Sequence, residues 1–176
     1  MIVFLFSMQI LNTKNNTKIT QDINIFKYSF YTEGKIIGFD NGKKTLGIAI
    51  SDIHKRIALT HKTIFKSKLS NDLKILDNII TENKIISIVL GFPLNKDGTK
   101  GRSAQSAITF ARILEQSFKL PILLWDERFS SIGIEREMIK AGIKKNKIKV
   151  NIDAASATWI LQSTLDAINK NMEEYV

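Results

Sequence analysis

The hydrophobic periodicity of the chain changes near residue 66, and this change constrains the fold more than any other feature. Before it, three short apolar segments follow one another closely and end in turn signals. They are KIIGF at 35–39, TLGIAIS at 45–51 and IALTHKTI at 57–64. Short apolar segments joined by tight turns predict three strands in an antiparallel meander.

After residue 66 the apolar residues alternate between helical spacing and compact runs. Compact runs between helices are typical of buried parallel strands. The predicted elements are, in order, helix 69–80, strand 85–90, helix 104–118, strand 121–125, helix 131–140 and a last helix from about Asp153. The fold class is therefore predicted as α/β: a mixed five-stranded sheet, with an antiparallel meander of three strands plus parallel strands, and helices on both faces.

The first 33 residues do not share this pattern. An apolar run at 1–11 is followed by a polar stretch that is rich in Asn, Thr and Lys. The run is shorter than the roughly 20 residues of a membrane helix, and it lacks the basic start of a secretory signal. We therefore predict an N-terminal extension at 1–33, a folded domain at 34–170 and a C-terminal tail at 171–176, with no membrane partner and a cytoplasmic location.

The residue types present limit the chemistry that the chain can perform. There is no Cys, which excludes disulfides, thiol nucleophiles and zinc–thiolate or iron–sulfur sites. The chain has two His, His54 and His61, and they are assigned to a turn and to a strand face. A catalytic metal would therefore have to be bound mainly by carboxylates.

Carboxylates stand at the ends of two predicted strands and at the start of the last helix. Asp40 follows the first strand, Asp126 and Glu127 follow the fifth, and Asp153 begins the last helix. Since ligand sites in open α/β sheets gather at the carboxyl ends of strands, these side chains could converge on a Mg²⁺ site. Acidic residues are also common in turns and helix caps, and the spacing leaves both interpretations open.

Basic residues accompany these carboxylates, and the net charge of the chain is +9. The cations are Lys43, Lys44, Arg102 and Arg128 near the strand ends, and Lys140, Lys144, Lys145, Lys147 and Lys149 in a basic run that starts at the end of helix 131–140 and continues through a predicted loop to the last helix. Lys and Arg contacts to phosphates dominate nucleic-acid affinity, although a lysine-rich loop is also a common solvated surface. No aromatic residues are interleaved with these lysines, so base stacking is not predicted.

Four sequence motifs, taken together and in order, resemble one family. They are IGFDNGKKTLGIAISD at 37–52, GFPLNKDGTKGRSAQSAITFA at 91–111, LLWDERFSS at 123–131 and NIDAASATWILQ at 151–162. The chain resembles the YqgF family, whose members are described as pre-16S rRNA nucleases and as Holliday junction resolvases. The resemblance covers about residues 35–169.

The resemblance implies an RNase H-like fold and metal-dependent hydrolysis of phosphodiester bonds in the cytoplasm. It implies that Asp40, Glu127 and Asp153 are the catalytic carboxylates and that they hold two ions of Mg²⁺ or Mn²⁺. It also places Arg128 with Ser130 or Ser131 beside the substrate phosphate. The expected substrate-binding residues are then Lys43, Lys44, Arg102, Arg128, Ser130, Ser131, Lys144, Lys145 and Lys147.

The leading hypothesis is a nuclease, a hydrolase that processes the 5′ end of pre-16S rRNA. Its partner would be structured RNA in preference to a DNA junction, and the protein would be a monomer or a homodimer. Two alternatives remain open: a resolvase acting on four-way DNA, and a non-catalytic module that binds RNA or the ribosome. The pattern D-x-G-x-x-x-x-G at 40–47 also resembles the phosphate loop of actin-like and sugar-kinase ATP-binding proteins, but the chain is too short for their duplicated domain.

Overall fold

A computed structural model describes residues 17–95, 97–126 and 145–173, with the backbone alone at 145–153 and at 173. It contains a six-stranded sheet covered by helices. The strands are β1 (Ile19–Thr20), β2 (Lys35–Asn41), β3 (Thr45–Ser51), β4 (Ala58–Phe65), β5 (Ile85–Phe92) and β6 (Ile122–Asp126). The helices are α1 (Ile23–Phe26), which continues as a 3₁₀ helix (Lys27–Tyr31), α2 (Leu69–Glu82), α3 (Arg102–Phe118) and α4 (Lys145–Glu173).

The sheet is mixed, as the sequence predicts. β2, β3 and β4 form an antiparallel meander, and β5 and β6 extend the sheet from β2 by parallel pairing. The strand order β1-β6-β5-β2-β3-β4 places β2 in the interior and β4 at one edge. The predicted α/β class, a mixed sheet with an antiparallel meander and parallel strands, is confirmed with one correction. The sheet has six strands instead of five, because β1 pairs in parallel with β6 at the other edge.

Alternating side chains divide the core between the two faces of the sheet. On one face Phe39 and Ile88 belong to a core that includes residues of α2 and α3. On the other face Ile36 and Val89 belong to a core that includes residues of α4. The central strands β2 and β5 thus bury side chains on both faces, which explains their compact apolar sequences.

Helix α4 approaches β2 closely at Gly38. A Cβ atom at Gly38 would lie 2.8 Å from Leu161 Cβ and 3.1 Å from the carbonyl oxygen of Ala157. A side chain at this position would therefore force the helix away from the strand. The absence of one allows α4 to pack directly over β2, two residues before Asp40.

Residues 17–33, which were predicted to belong to the extension, pack against the sheet. Phe26 is 2% exposed and lies in the core shared with α4. The buried Lys55 ammonium donates hydrogen bonds to the carbonyl oxygens of Phe30 (3.3 Å) and Thr32 (2.9 Å). The division of the chain at residue 34 stays a prediction, because packing alone does not say which segment folds independently.

Helix α4 begins earlier than predicted, at Lys145 instead of near Asp153. The prediction of a lysine-rich loop is therefore wrong for Lys145, Lys147 and Lys149, which are helical. No Gly or Pro interrupts residues 145–173, so nothing in the sequence stops the helix there. The helix continues to Glu173 and includes part of the predicted tail.

The helix predicted over 131–140 lies outside the described residues. Among the helices that the structure does describe, none is both long and apolar enough to cross a membrane.

Candidate active site

Asp40 lies near the carboxyl end of β2, and it is inside the strand instead of beyond it, because β2 continues to Asn41. Its pairing partner on β3 is Gly47. On β5, Gly91 follows Leu90, the residue that pairs with Phe39. Neither neighbouring strand therefore places a side chain beside Asp40. Since Phe39 packs on the α2–α3 face, strand alternation directs Asp40 to the α4 face.

A cavity of about 350 Å³ opens at this edge of the sheet. Its walls come from the ends of β2 and β5, the turn after β2 and the start of α3. The lining residues are Asp40, Asn41, Gly42, Lys43, Gly91, Pro93, Arg102, Ser103, Ser106 and Ala107. The structure thus brings together three of the candidate site residues, Asp40, Lys43 and Arg102. Lys44 lies in the same turn but does not line this cavity.

The start of α3 adds hydrogen-bond donors to the cavity. Arg102 is the first residue of the helix, and the preceding Gly101 provides no side-chain cap. The first N–H groups of a helix have no partner within the helix, and they lie at the positive end of its dipole. Together with the Arg102 guanidinium and the Ser103 hydroxyl, they make this wall suitable for a phosphate group.

The loop between β5 and α3 is held by its own polar side chains. Asp97 Oδ1 accepts hydrogen bonds from the backbone N–H (2.9 Å) and the hydroxyl (2.7 Å) of Thr99. Asn95 Nδ2 donates to Thr99 Oγ1 at 2.8 Å, and Gly98 adopts a φ of 83° that favours glycine. This bonded loop sets the point at which α3 begins, and hence the position of Arg102.

Helix α4 runs antiparallel to β4, so its early residues lie toward the Asp40 end of the sheet. Gln162 Oε1 accepts from the backbone N–H of Ala58 (2.8 Å), and the hydroxyls of Thr158 and Thr60 are hydrogen-bonded at 2.8 Å. Asp153 precedes Thr158 in this helix by more than one turn. The direction of α4 therefore brings the backbone of Asp153 toward the carboxyl end of β2.

The other candidate site residues are described only in part or not at all. Outside the described residues lie Glu127, Arg128, Ser130, Ser131 and Lys144, while Lys145, Lys147 and Asp153 are described by their backbone alone. Among the residues that the structure describes, no three His, Asp or Glu side chains cluster in a way that could hold a metal ion. The three-carboxylate site stays a prediction, because the side chains of Glu127 and Asp153 are not among those that the structure describes.

Lys66 is a residue near this site that the sequence analysis missed. Its ammonium donates hydrogen bonds to Asn41 Oδ1 and to the carbonyl oxygen of Gly42. Partial burial lowers the pKa of Lys66, and the negative charges of Asp40 and Asp72 oppose this shift. Its position follows from the structure: in the antiparallel pairing of β3 with β4, the residue after the end of β4 faces the turn before β3. No sequence pattern indicated this register.

A second cavity, of about 490 Å³, lies between α2 and α3 and adjoins the first. Asn41 and Ser106 line both cavities. The walls of the second are mainly apolar and include Leu46 and Phe110, and Lys66 is one of its polar lining residues.

Residues 34–167 match the family model described as "RuvX: Holliday junction resolvase", and this segment is most of the chain. This chain belongs to the RuvX family. The RuvX match includes the strands from β2 onward, both cavities and Lys66, whereas β1 and α1 lie before it.

Curated relatives support membership of the RuvX family. A protein from Rhodobacter capsulatus is 42% identical over 135 residues, which cover 77% of this chain and 85% of the relative. A protein from Cereibacter sphaeroides is 40% identical over 151 residues, which cover 86% of this chain and 94% of the relative. Both carry the name "Putative pre-16S rRNA nuclease". The resemblance predicted from the four motifs is thereby confirmed.

Solved structures that are similar to this RuvX chain are more distant. RuvC of T. thermophilus, in complex with a Holliday junction substrate, gives a TM-score of 0.46 at 13% identity over 80% of this chain and 96% of that one. The Fowlpox virus resolvase, in complex with Holliday junction DNA, gives 0.48 at 16% identity over 76% and 98%. The assignment to RuvX depends on the sequence matches, not on these structures.

Proposed function

We propose that this chain is a metal-dependent nuclease that hydrolyses phosphodiester bonds and processes the 5′ end of pre-16S rRNA in ribosome biogenesis. The observation that carries the proposal is the cavity in which Asp40 lies with Lys43 and Arg102. A carboxylate with two cations, at the carboxyl end of the sheet, suits a substrate whose phosphates must be held beside a hydrolytic group. The names of the curated relatives support RNA as that substrate.

The residues present fit a divalent metal ion. Asp40 offers the hard oxygen ligands that Mg²⁺ and Mn²⁺ prefer, and Gly47 and Gly91 place no side chain beside it. We propose that Glu127 and Asp153 complete the ligand set for two ions. When bound, such ions supply charge stabilisation for the attacking and leaving oxygens of a phosphodiester.

Strand alternation supports Glu127 over its neighbour Asp126 as the second ligand. Leu124 belongs to the core on the α2–α3 face, and Trp125 packs on the α4 face. The alternation therefore directs Asp126 to the α2–α3 face, away from Asp40. We therefore propose Glu127, which the family resemblance also implies, and not Asp126 as the second ligand.

The cations hold and orient the substrate in this proposal. Lys43 donates to phosphate oxygens from the turn after β2, and Arg102 offers a two-pronged contact from the start of α3. Contacts of this kind position the backbone without reading the bases. The proposed binding surface is completed by Lys44, Arg128, Ser130, Ser131, Lys144, Lys145 and Lys147.

Structured RNA in the cytoplasm is the proposed partner, and the chain would act as a monomer or a homodimer. The description of the RuvX model favours a second candidate, a resolvase that acts on four-way DNA junctions. Resolution of a junction needs two symmetric cuts, and two copies of the chain related by a two-fold axis would supply them.

The test is cleavage of an end-labelled precursor rRNA 5′ leader, beside a four-way DNA junction, with and without Mg²⁺. Wild type is compared with Asp40→Asn and with Asp77→Asn, which changes an exposed aspartate on α2. We expect Mg²⁺-dependent cleavage of the RNA by wild type and Asp77→Asn. Asp40→Asn should cleave on the order of 10²–10³-fold more slowly, the usual cost of losing one electrostatic stabiliser, at unchanged RNA affinity.

Other outcomes contradict the proposal in different ways. Paired nicks in the junction without cleavage of the RNA would make the chain a resolvase. Binding of RNA without cleavage of either substrate would make it a non-catalytic RNA- or ribosome-binding module. Equal cleavage by wild type and Asp40→Asn would show that Asp40 is not a catalytic residue.

A further inference from the structure

Lys66 bonds to both ends of the turn between β2 and β3, the turn that follows Asp40. Its backbone N–H donates to the carbonyl oxygen of Lys44 at 2.9 Å. Its side-chain ammonium donates to Asn41 Oδ1 and to the carbonyl oxygen of Gly42. The proposed mechanism uses none of these bonds, yet Gly42 and Lys43 form one wall of the cavity.

The backbone that carries Lys66 is itself held in place. The N–H of Ser67 donates to both carboxylate oxygens of Asp72 at 3.1 Å, and the Ser67 hydroxyl donates to Oδ1 at 2.8 Å. Asp72 lies in the first turn of α2, and α2 packs into the core through Leu76. The lysine therefore extends from a well-bonded segment.

The surroundings of the ammonium strengthen its bonds. Lys66 Nζ lies 5.8 Å from the centre of the Phe110 ring, and Lys66 lines the mainly apolar cavity between α2 and α3. Hydrogen bonds from a charged donor are stronger than neutral ones, and they gain further where the local dielectric is low. These bonds should therefore restrain the turn more than an exposed lysine would.

Lys66 approaches the turn from the α2–α3 side of the sheet, where the negative charge of Asp40 still acts on its ammonium. Asn41 and Lys66 both line the cavity on the α2–α3 face. Strand alternation directs Asp40, the residue before Asn41, to the α4 face. Lys66 can therefore act on the site through the strand end and the turn, without touching the substrate.

We propose that Lys66 is a positioning residue, which holds the β2–β3 turn so that Asp40 and Lys43 keep their places in the cavity. The catalytic part of this inference rests on the proposed nuclease function, whereas the effect on the turn does not. Residues that orient metal ligands typically change activity or metal affinity by about 10–100-fold when they are lost.

The first measurement is hydrogen–deuterium exchange over residues 40–46 in the full chain, without metal or nucleic acid. Lys66→Met removes the donors and keeps a long side chain, while Lys66→Arg keeps the charge and the donors. Lys62→Met is the matched control, because Lys62 is an exposed lysine on β4, the strand that ends just before Lys66. We expect exchange to be about tenfold faster in Lys66→Met and close to wild type in the other two.

The second measurement is cleavage of the RNA leader over a range of Mg²⁺ concentrations, with RNA affinity measured separately in Ca²⁺. In Lys66→Met we expect kcat to fall by about 10–100-fold and the half-saturating Mg²⁺ concentration to rise. RNA affinity should stay unchanged, because the lysine does not contact the substrate. Lys66→Arg should recover most of the loss, and Lys62→Met should match wild type.

Each outcome decides the inference. Unchanged exchange in Lys66→Met overturns it, whatever the activity. Weaker RNA binding at unchanged kcat also overturns it, because Lys66 would then be a phosphate contact. If wild type cleaves no nucleic acid, the proposed function fails and the exchange measurement alone decides the role of Lys66. If Lys66→Met does not fold, Asn41→Ala removes one acceptor of the same bonds, and unchanged exchange in that variant overturns the inference.

Discussion

At the scale of single residues, the space around Asp40 depends on side chains that are missing. Gly47 pairs with Asp40 on one side, and Gly91 is buried on the other and lines the cavity. A strand interior usually favours larger residues, because glycine there has nothing to pack and loses more conformational freedom on folding. Two glycines beside one carboxylate therefore indicate that room at this point matters more than local stability.

We predict that Gly91→Val fills this space and slows RNA cleavage on the order of 10²-fold, because a shift of roughly 1 Å in a reacting group costs that much. Gly91→Ala should fall between Gly91→Val and wild type. RNA affinity should change little, since Lys43 and Arg102 remain. Single-turnover cleavage and filter binding measure the two effects, with the thermal midpoint as a check on folding. Equal cleavage rates in Gly91→Val and wild type would show that the space has no role in the reaction.

At the scale of elements, the strands and helices from 35 to 126 could largely be predicted, because each has a clear period and a turn or cap at its ends. β1 could not, since two residues carry no periodicity and pair only when β6 is present. The early start of α4 was missed because its first residues, KNKIKVNID, place Ile148, Val150 and Ile152 at alternate positions among polar residues, which is not a helical period. The sequence around residue 145 therefore did not show where α4 begins.

Some residues of the candidate site could also be predicted from the sequence, and others could not. Asp40, Lys43 and Arg102 could be placed together because each stands at the end of a predicted element, on the same edge of the sheet. Lys66 could not, because its position depends on the register between β3 and β4. That register shifts between Ile48 and Ala49, and no sequence pattern indicated the shift.

The approach of α4 to β2 gives a prediction about stability. Gly38→Ala should destabilise the fold by about 1–3 kcal/mol, because the added methyl group overpacks against Leu161 and the carbonyl oxygen of Ala157. Urea denaturation of the variant and wild type measures the difference. A free energy of unfolding within about 0.5 kcal/mol of wild type would show that α4 moves aside without cost.

At the scale of the whole molecule, the net charge of +9 gives a prediction about binding. Affinity for RNA should fall steeply with salt, since each phosphate contact releases counterions. Lys43→Gln and Arg102→Gln should each reduce the slope of log affinity against log salt by about 1. Lys62→Gln, which changes an exposed lysine on the edge strand β4, should leave the slope unchanged. Fluorescence anisotropy at several salt concentrations measures these slopes, and an affinity that does not depend on salt would contradict the proposed contacts.

Helix α3 also determines how the molecule could be attached to a support. It begins at Arg102, in the wall of the cavity, and exposed Gln116 lies near its other end. At 1.5 Å per residue, the two are about 21 Å apart along the helix axis. Because the chain has no Cys, Gln116→Cys would be its single thiol, and a bead, slide or dye could be coupled there in one orientation. The cavity would then face away from the support. Single binding events on a long nucleic acid could be observed without obstruction by the attachment.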